Sequence, residues 1–279
     1  MAPIEYGKRD FDTVATYTDK GFLDVIHKAT GLSERGTTAV VIDLMAGPGK
    51  VAFGMQERAP QHSYAVLDYD QAQLDRVTQP VRKILADVRN LSAVVEDGSI
   101  GVATVRYGLK DIPKDQQPGV LLGINKALEK GGVLVIADMV SPEGAKDFTN
   151  KQHSLKQQFG GRDIEKEGEC NIPTEQGWLD MLTNAGFEPE ITGHYISRVS
   201  TSDWLRGNQL GDPKSPEAGA RKAKMDEVIL GTSDEIKKQF NIREENGEVK
   251  IEYPVVIIRA VKSEARVGVP TSGTVYEAK

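Results

Sequence analysis

Residues 38–49 read TAVVIDLMAGPG. The run from Thr38 to Leu44 is apolar up to its acidic end at Asp43, the pattern of a strand covered on both faces. Gly47 lets the chain turn tightly off that strand, and Gly49, without a Cβ, lets backbone approach a ligand closely. KVAFGMQER then continues with helical character, and its first amides face whatever sits at the turn.

The same alternation repeats outward along the chain. HSYAVLD is a second strand ending at Asp68. QAQLDRVTQPVRK reads as an amphipathic helix interrupted late by Pro80. KILADV is a third strand ending near Asp87, SIGVATVRYGL a fourth, and GGVLVIADMV a fifth, after the helical PGVLLGINKALEK. Strands alternating with helices predict βαβ units and a parallel sheet. Beyond residue 141 the pattern changes: 141–173 is polar without a clear period. TEQGWLDMLTNAG is a helix that Thr174 caps and Gly186 ends. FEPEITGHYISRVS and IEYPVVIIRAVK are the sixth and seventh strands. The connection between them, 203–250, is too long for a hairpin loop and reads as a helical insert. Residues of about 10–32 read as one or two helices ahead of the sheet. The expectation is one α/β domain over 1–262, with a poorly ordered tail at 263–279. Its Rossmann-like sheet has seven mostly parallel strands and helices on both faces. The N-terminal helices and the two inserts would cap its carboxyl edge.

Charge narrows the function classes. With 35 basic and 41 acidic residues the net charge is -6, and no basic stripe stands out, so no nucleic-acid partner is expected. Cys170 is the single cysteine, which excludes an internal disulfide and a multi-cysteine zinc site. No apolar run approaches the roughly 18 residues of a membrane span. The opening MAPIEYGKRDF lacks the apolar core of a signal peptide. A cytoplasmic protein with a small-molecule substrate is expected, as monomer or homodimer.

The glycine turn leaves two cofactor classes open. Gly47-x-Gly49-x-x-Ala52 fits a dinucleotide fingerprint, with Asp68 where a ribose-binding acid belongs, so an NAD(P)-dependent oxidoreductase is one reading. Asp43, at the end of the first strand, is not required by such a site. Pro48 is unusual for cradling a pyrophosphate, and Asp87 supplies a third strand-end acid placed to meet an adenine amino group.

With these motifs in order, the chain resembles the class I S-adenosylmethionine-dependent methyltransferases, most of all the quinone-biosynthesis group and its small-molecule relatives. VIDLMAGPGKVAFGM resembles the first motif, with Met45 where the first glycine stands. YAVLDYDQAQL resembles the second, LADVRNL the third, and VATVRYGLKDIP with LEKGGVLVIADMVSP the fourth and fifth. The resemblance implies an antiparallel last strand and S-adenosylmethionine as cofactor. It implies methyl transfer by in-line displacement to an O, N or C nucleophile. Asp43 would face the donor's ammonium group, and the amides of Ala46 and Gly47 the same region. Asp68 would accept from the ribose hydroxyls, Asp87 from the adenine amine, and Val88 would contribute backbone. Tyr69 is placed to stack on the adenine. Arg106 would lie near the methionine carboxylate, and Tyr17 resembles a position near the donor. The same fold repurposed for a non-methylating reaction is a further alternative.

Histidine suits proton transfer near neutrality. His153, in the irregular stretch after the fifth strand, and His194, on the sixth, are the candidate bases. His27 and His62 read as packing and loop residues, and no residue cluster has metal-ligand spacing, so no metal is expected.

Overall fold

The computed structural model describes residues 19–206 and 215–263. Among these the strands are β1 (Val40–Leu44), β2 (Ser63–Asp68), β3 (Arg82–Leu85), β4 (Ile100–Arg106), β5 (Leu128–Met139), β6 (Phe187–Ser200), β7 (Arg243–Glu245) and β8 (Glu248–Lys262). They form one sheet in the order β3-β2-β1-β4-β5-β8-β6, with β7 paired to the start of β8. The first five run parallel, and β8 enters antiparallel between β5 and β6. This is the Rossmann-like sheet expected from the sequence, with one strand more. β7 is only three residues long and folds back on β8 through Asn246 and Gly247, both at positive φ, a turn that follows the strand twist.

Two apolar layers hold the sheet. Val41, Val102, Val135 and Ile257 point to one face, where α1 (Lys20–Thr30) and α2 (Lys50–Arg58) cover them. Ile42, Ala103, Ile136 and Ile258 point to the other, under α4 (Gln117–Ala127) and α7 (Glu175–Asn184). Consecutive strand residues serve opposite layers because the side-chain period is two. Asp19 caps α1 by accepting from Phe22 N–H, and Gly31 ends it in the left-handed region. α1 lies along a face against β5, β8 and α2, with Phe22 5.8 Å from Tyr107 and stacked on Tyr195 at 4.3 Å.

Two expectations are corrected. The helix after β2 is a single turn, α3 (Gln71–Asp75). Leu74 and Val77 bury there, and the chain leaves before Pro80. The stretch 141–173 is not irregular: it holds α5 (Lys146–Phe159) and the short α6 (Ile164–Glu167). The buried face of α5 is Thr149, Gln152, His153 and Gln157, a helical period written in polar residues.

β6 and β8 run on past the end of β5. Met139 and Tyr195 both stand level with Val255, so 196–200 and 250–254 form an arm beyond the carboxyl edge, with β7 paired to 248–250 at its tip. On this arm pack α8 (Thr201–Arg206), α9 (Pro216–Leu230) and α5, followed by α10 (Asp234–Gln239). Tyr253 lies 5.1 Å from Trp204 and 5.9 Å from Phe240, and Phe240 lies 5.2 Å from Phe148. Burying each such ring contributes about 1.5–3 kcal/mol. Among the described residues no helix is long and apolar enough to cross a membrane.

Candidate active site

The turn after β1 is built from left-handed residues: Met45 (φ 55), Gly47 (φ 54) and Gly49 (φ 78). A left-handed methionine costs roughly 1–2 kcal/mol. The Ala46 N–H donates to Leu67 O at 3.0 Å and the Gly47 N–H to Asp68 Oδ2 at 2.8 Å, so β2 braces the turn. Gly49 has a different reason than ligand approach. A Cβ there would stand 3.0 Å from the Phe53 ring and 3.3 Å from Val66, so the protein itself fills that space.

Asp43 is buried beneath the turn. Its Oδ1 accepts from the Thr104 hydroxyl at 2.9 Å and its Oδ2 from the Ala52 N–H at 3.3 Å, which caps the first turn of α2. Burial raises its carboxyl to about 6, against the lowering pull of Thr104 and Arg106. Asp68 ends β2, 7% exposed, and its Oδ1 accepts from the Asp70 N–H at 3.0 Å. Tyr69 follows it, 43% exposed. Asp87 lies just past β3, where Arg89 Nε bridges its two oxygens at 3.0 and 2.9 Å. Burial pushes the Asp87 carboxyl up, and its Arg89 contacts outweigh this, leaving it below the ordinary value. The Val88 side chain is buried in the core, so only its backbone faces outward chemistry. Arg106 ends β4, half-buried, close enough to lower Asp43. The structure thus gathers Asp43, Ala46, Gly47, Gly49, Asp68, Tyr69, Asp87, Val88 and Arg106 along the carboxyl ends of β1 to β4. Tyr17 lies outside the described residues.

A second cluster adjoins the turn. Gly108, two residues past β4, faces Met45 so closely that a Cβ would meet its Sδ at 2.7 Å. Next comes buried Lys110, whose Nζ donates to Tyr107 O and lies 3.4 Å from Asp111 Oδ1. Asp138, fully buried near the end of β5, accepts from the Lys110 N–H at 3.3 Å, and burial raises its carboxyl to about 6. Asp111 Oδ1 lies 2.8 Å from His153 Nε2 and accepts from Gln157 Nε2 at 2.8 Å. Burial drives the His153 ring down to about 4 in spite of Asp111, so it is neutral near pH 7. Its Nδ1 is buried with no partner among the described residues, as is Gln152 Nε2. Gln152 Oε1 accepts from the buried Tyr253 hydroxyl.

His153 therefore joins the site, and His194 does not. His194 is exposed on the edge strand β6, where its Nε2 lies 2.9 Å from Glu175. His62 lies in the loop before β2, as expected, and has a structural role there. Its Nδ1 accepts from the Ala39 N–H at 3.2 Å, tying the start of β1 to the loop before β2. Cys170 is buried beside Arg162, and burial pushes its thiol up to about 12. Lys110, Asp111, Asp138, Gln152 and Tyr253 were missed by sequence reasoning. Asp138 had a signal, since it ends an apolar strand as Asp43 and Asp68 do. No group of three or more His, Cys, Asp or Glu among the described residues could hold a metal.

This sheet order is a Rossmann-like fold that recurs among methyltransferases of known structure. It is shared with the YcgJ protein of Bacillus subtilis, at TM-score 0.70 and 17% identity over 87% of this chain and 98% of that one. A Bacillus halodurans protein of known crystal structure, assigned there to the methyltransferases, gives TM-score 0.69 and 20% identity over 85% and 98%. The [4+2]-cyclase SpnF shares the fold at TM-score 0.56 and 15% identity over 92% and 86%. By sequence the chain is 29% identical over 143 residues to a demethylmenaquinone methyltransferase of Chlamydia trachomatis. That match covers 47% of this chain and 61% of the relative's length. No family model matches the chain.

Proposed function

We propose that this protein transfers a methyl group from S-adenosylmethionine to a small-molecule acceptor. The observation that carries the reading is the row of carboxylates, Asp43, Asp68 and Asp87, at or just past the ends of three neighbouring strands around a left-handed glycine turn. The bound donor supplies a methyl group already activated on a sulfonium sulfur. The protein's work is alignment and exclusion of water.

The residues fit that task. A carboxylate accepts up to about four hydrogen bonds, so Asp68 can take both ribose hydroxyls while bracing Gly47. Asp43, ionised above about pH 6, puts negative charge under the turn where a donor ammonium group would sit. Asp87 and the Val88 backbone suit the adenine edge, Tyr69 its face, and Arg106 a carboxylate. Ala46 and Gly47 supply backbone amides, and Gly49 the conformation. His153 is the base nearest this machinery. The cap of α5 and α8 to α10 walls the acceptor side. The net charge of -6 favours a small acceptor over nucleic acid. A reducing, cytoplasmic setting suits a chain with one buried cysteine.

Calorimetry with S-adenosylmethionine, S-adenosylhomocysteine and NADH tests the donor site. Binding of the first two and not the third is expected. Tight NADH binding alone would make the protein an oxidoreductase. Donor binding without methyl transfer to any acceptor would make it a repurposed methyltransferase fold.

A further inference from the structure

Within IGVATVR, the core of β4, Thr104 is a polar residue that is almost wholly covered, 1% exposed. It stands level with Asp43 in the parallel pairing of β4 with β1, so the two side chains leave the sheet on the same face. The Thr104 hydroxyl donates to Asp43 Oδ1 at 2.9 Å, while the Ala52 N–H of α2 donates to Oδ2 at 3.3 Å. Valine has the same shape as threonine and suits a buried strand equally well. Packing therefore does not account for the hydroxyl, and the carboxylate does.

Both of these donors are neutral. Charge acts on Asp43 from further off: Arg106 at the end of β4 favours its ionised form, and Asp68 at the end of β2 opposes it. A buried carboxylate held by neutral donors is short of a cation. Each oxygen already receives a hydrogen, so the two donors favour the ionised form, and burial favours the protonated one. Burial wins by enough to keep the proton on up to about pH 6. The balance is close, and a positive group brought to the turn would tip it.

We infer that Thr104 is a positioning residue of the donor site: acting through Asp43 it makes donor binding proton-linked, the carboxyl releasing its proton to solvent as the donor's ammonium group arrives at the glycine turn. The inference rests on the methyl-transfer reading above, which places that ammonium group near Asp43. No covalent bond changes in this step; one proton leaves the carboxyl oxygen and one ion pair forms. The Thr104 hydroxyl lowers the cost of the negative charge that the ammonium group meets. Donor affinity therefore falls on acidification while the turn and Asp68 stay as they are, and one hydroxyl sets the pH at which it falls.

The test is calorimetry of the full chain with S-adenosylhomocysteine, in pairs of buffers with different heats of ionisation, which counts the protons released. Most of one proton should leave near pH 5, and the release should fade by about pH 7.5. Below the inflection, affinity should drop by up to about tenfold per pH unit. Binding without proton release near pH 5 overturns the proposal. Thr104→Val should move the inflection up by about one pH unit, and Thr104→Ser should return it. An inflection unchanged in the valine variant, or not returned by serine, removes the positioning role. If the valine variant does not fold, the wild-type proton count decides. Methylthioadenosine, which lacks the ammonium and carboxylate groups, should bind without proton release and with equal affinity to wild type and Thr104→Val. Proton release with this ligand, or an equal loss of both ligands in the variant, would make Thr104 merely structural. If it binds too weakly to measure, the inflection in the valine variant decides. Failure of S-adenosylhomocysteine to bind at any pH would sink the methyl-transfer reading itself, a result separate from these.

Discussion

The Gly47 N–H donates to Asp68 Oδ2 at 2.8 Å, so the carboxylate that ends β2 braces the turn that ends β1. Donor binding and local stability therefore pass through one side chain. Asp68→Ala should weaken S-adenosylmethionine binding by roughly 1.5–3 kcal/mol, from charged hydrogen bonds lost. It should also lower the thermal midpoint, because the Gly47 and Asp70 amides lose their acceptor. Calorimetry and thermal melts read the two effects; an unchanged dissociation constant would place the ribose elsewhere.

Met45 and Gly108 are coupled by contact. Gly108→Ala puts a Cβ 2.7 Å from Met45 Sδ, 3.0 Å from its Cβ and 3.2 Å from Val105. Overpacking of this kind costs about 1–3 kcal/mol. In a Met45→Gly background the cost should fall by at least half, and a double-mutant cycle by urea denaturation measures the difference. Additive effects would show that the two do not share the space.

The buried acids and the buried histidine pull the pH dependence of stability in opposite directions. Asp43 rises from 3.8 to about 6 on folding, so between those values the fold binds more protons than the unfolded chain. Its contribution makes the fold more stable as pH falls from 6 toward 4, by about 3 kcal/mol in all. His153 falls from 6.5 to about 4, so its contribution is fully present above 6.5 and is lost as pH drops through 4. Asp43→Asn should make the protein more acid-sensitive between pH 6 and 4, and His153→Gln less so. Thermal midpoints across that range, with the same slope in both variants as in wild type, would refute the assignment.

The aromatic cluster under the cap offers a way to disturb the acceptor side alone. Phe240 is fully buried between Phe148 and Tyr253. Phe240→Ala should cost about 3–5 kcal/mol. In the fraction that remains folded at low temperature, donor affinity should stay within about twofold of wild type while acceptor turnover falls. A parallel loss of donor affinity would mean that the cap also holds the donor.

The legible parts of the sequence were those in which apolar residues carry the period. VVIDL, SYAVLD and IGVATVR are covered on both faces and read as strands from composition alone, and the acidic ends of the first two mark the site. α5 was hard to read because its fully buried residues are polar, Thr149, Gln152, His153 and Gln157, leaving only Phe148, Leu155 and Phe159 to carry an apolar period. Asp111 was missed for a related reason. Its meaning comes from His153 and Gln157, which a helix far along the chain brings to it. His194 misled because a histidine on a strand gives no sign of which way it faces; its partner is the exposed Glu175.

The position of β8 bears on how the chain is made. This strand lies between β5 and β6 although it is the last of the eight in sequence. Until residues 248–262 leave the ribosome, β6 has no partner and β5 has an open edge. Both are templates for pairing with another chain. Closing the sheet late, through contacts between distant parts of the sequence, slows folding. Truncations that remove β8 should therefore yield aggregated protein rather than a smaller working domain.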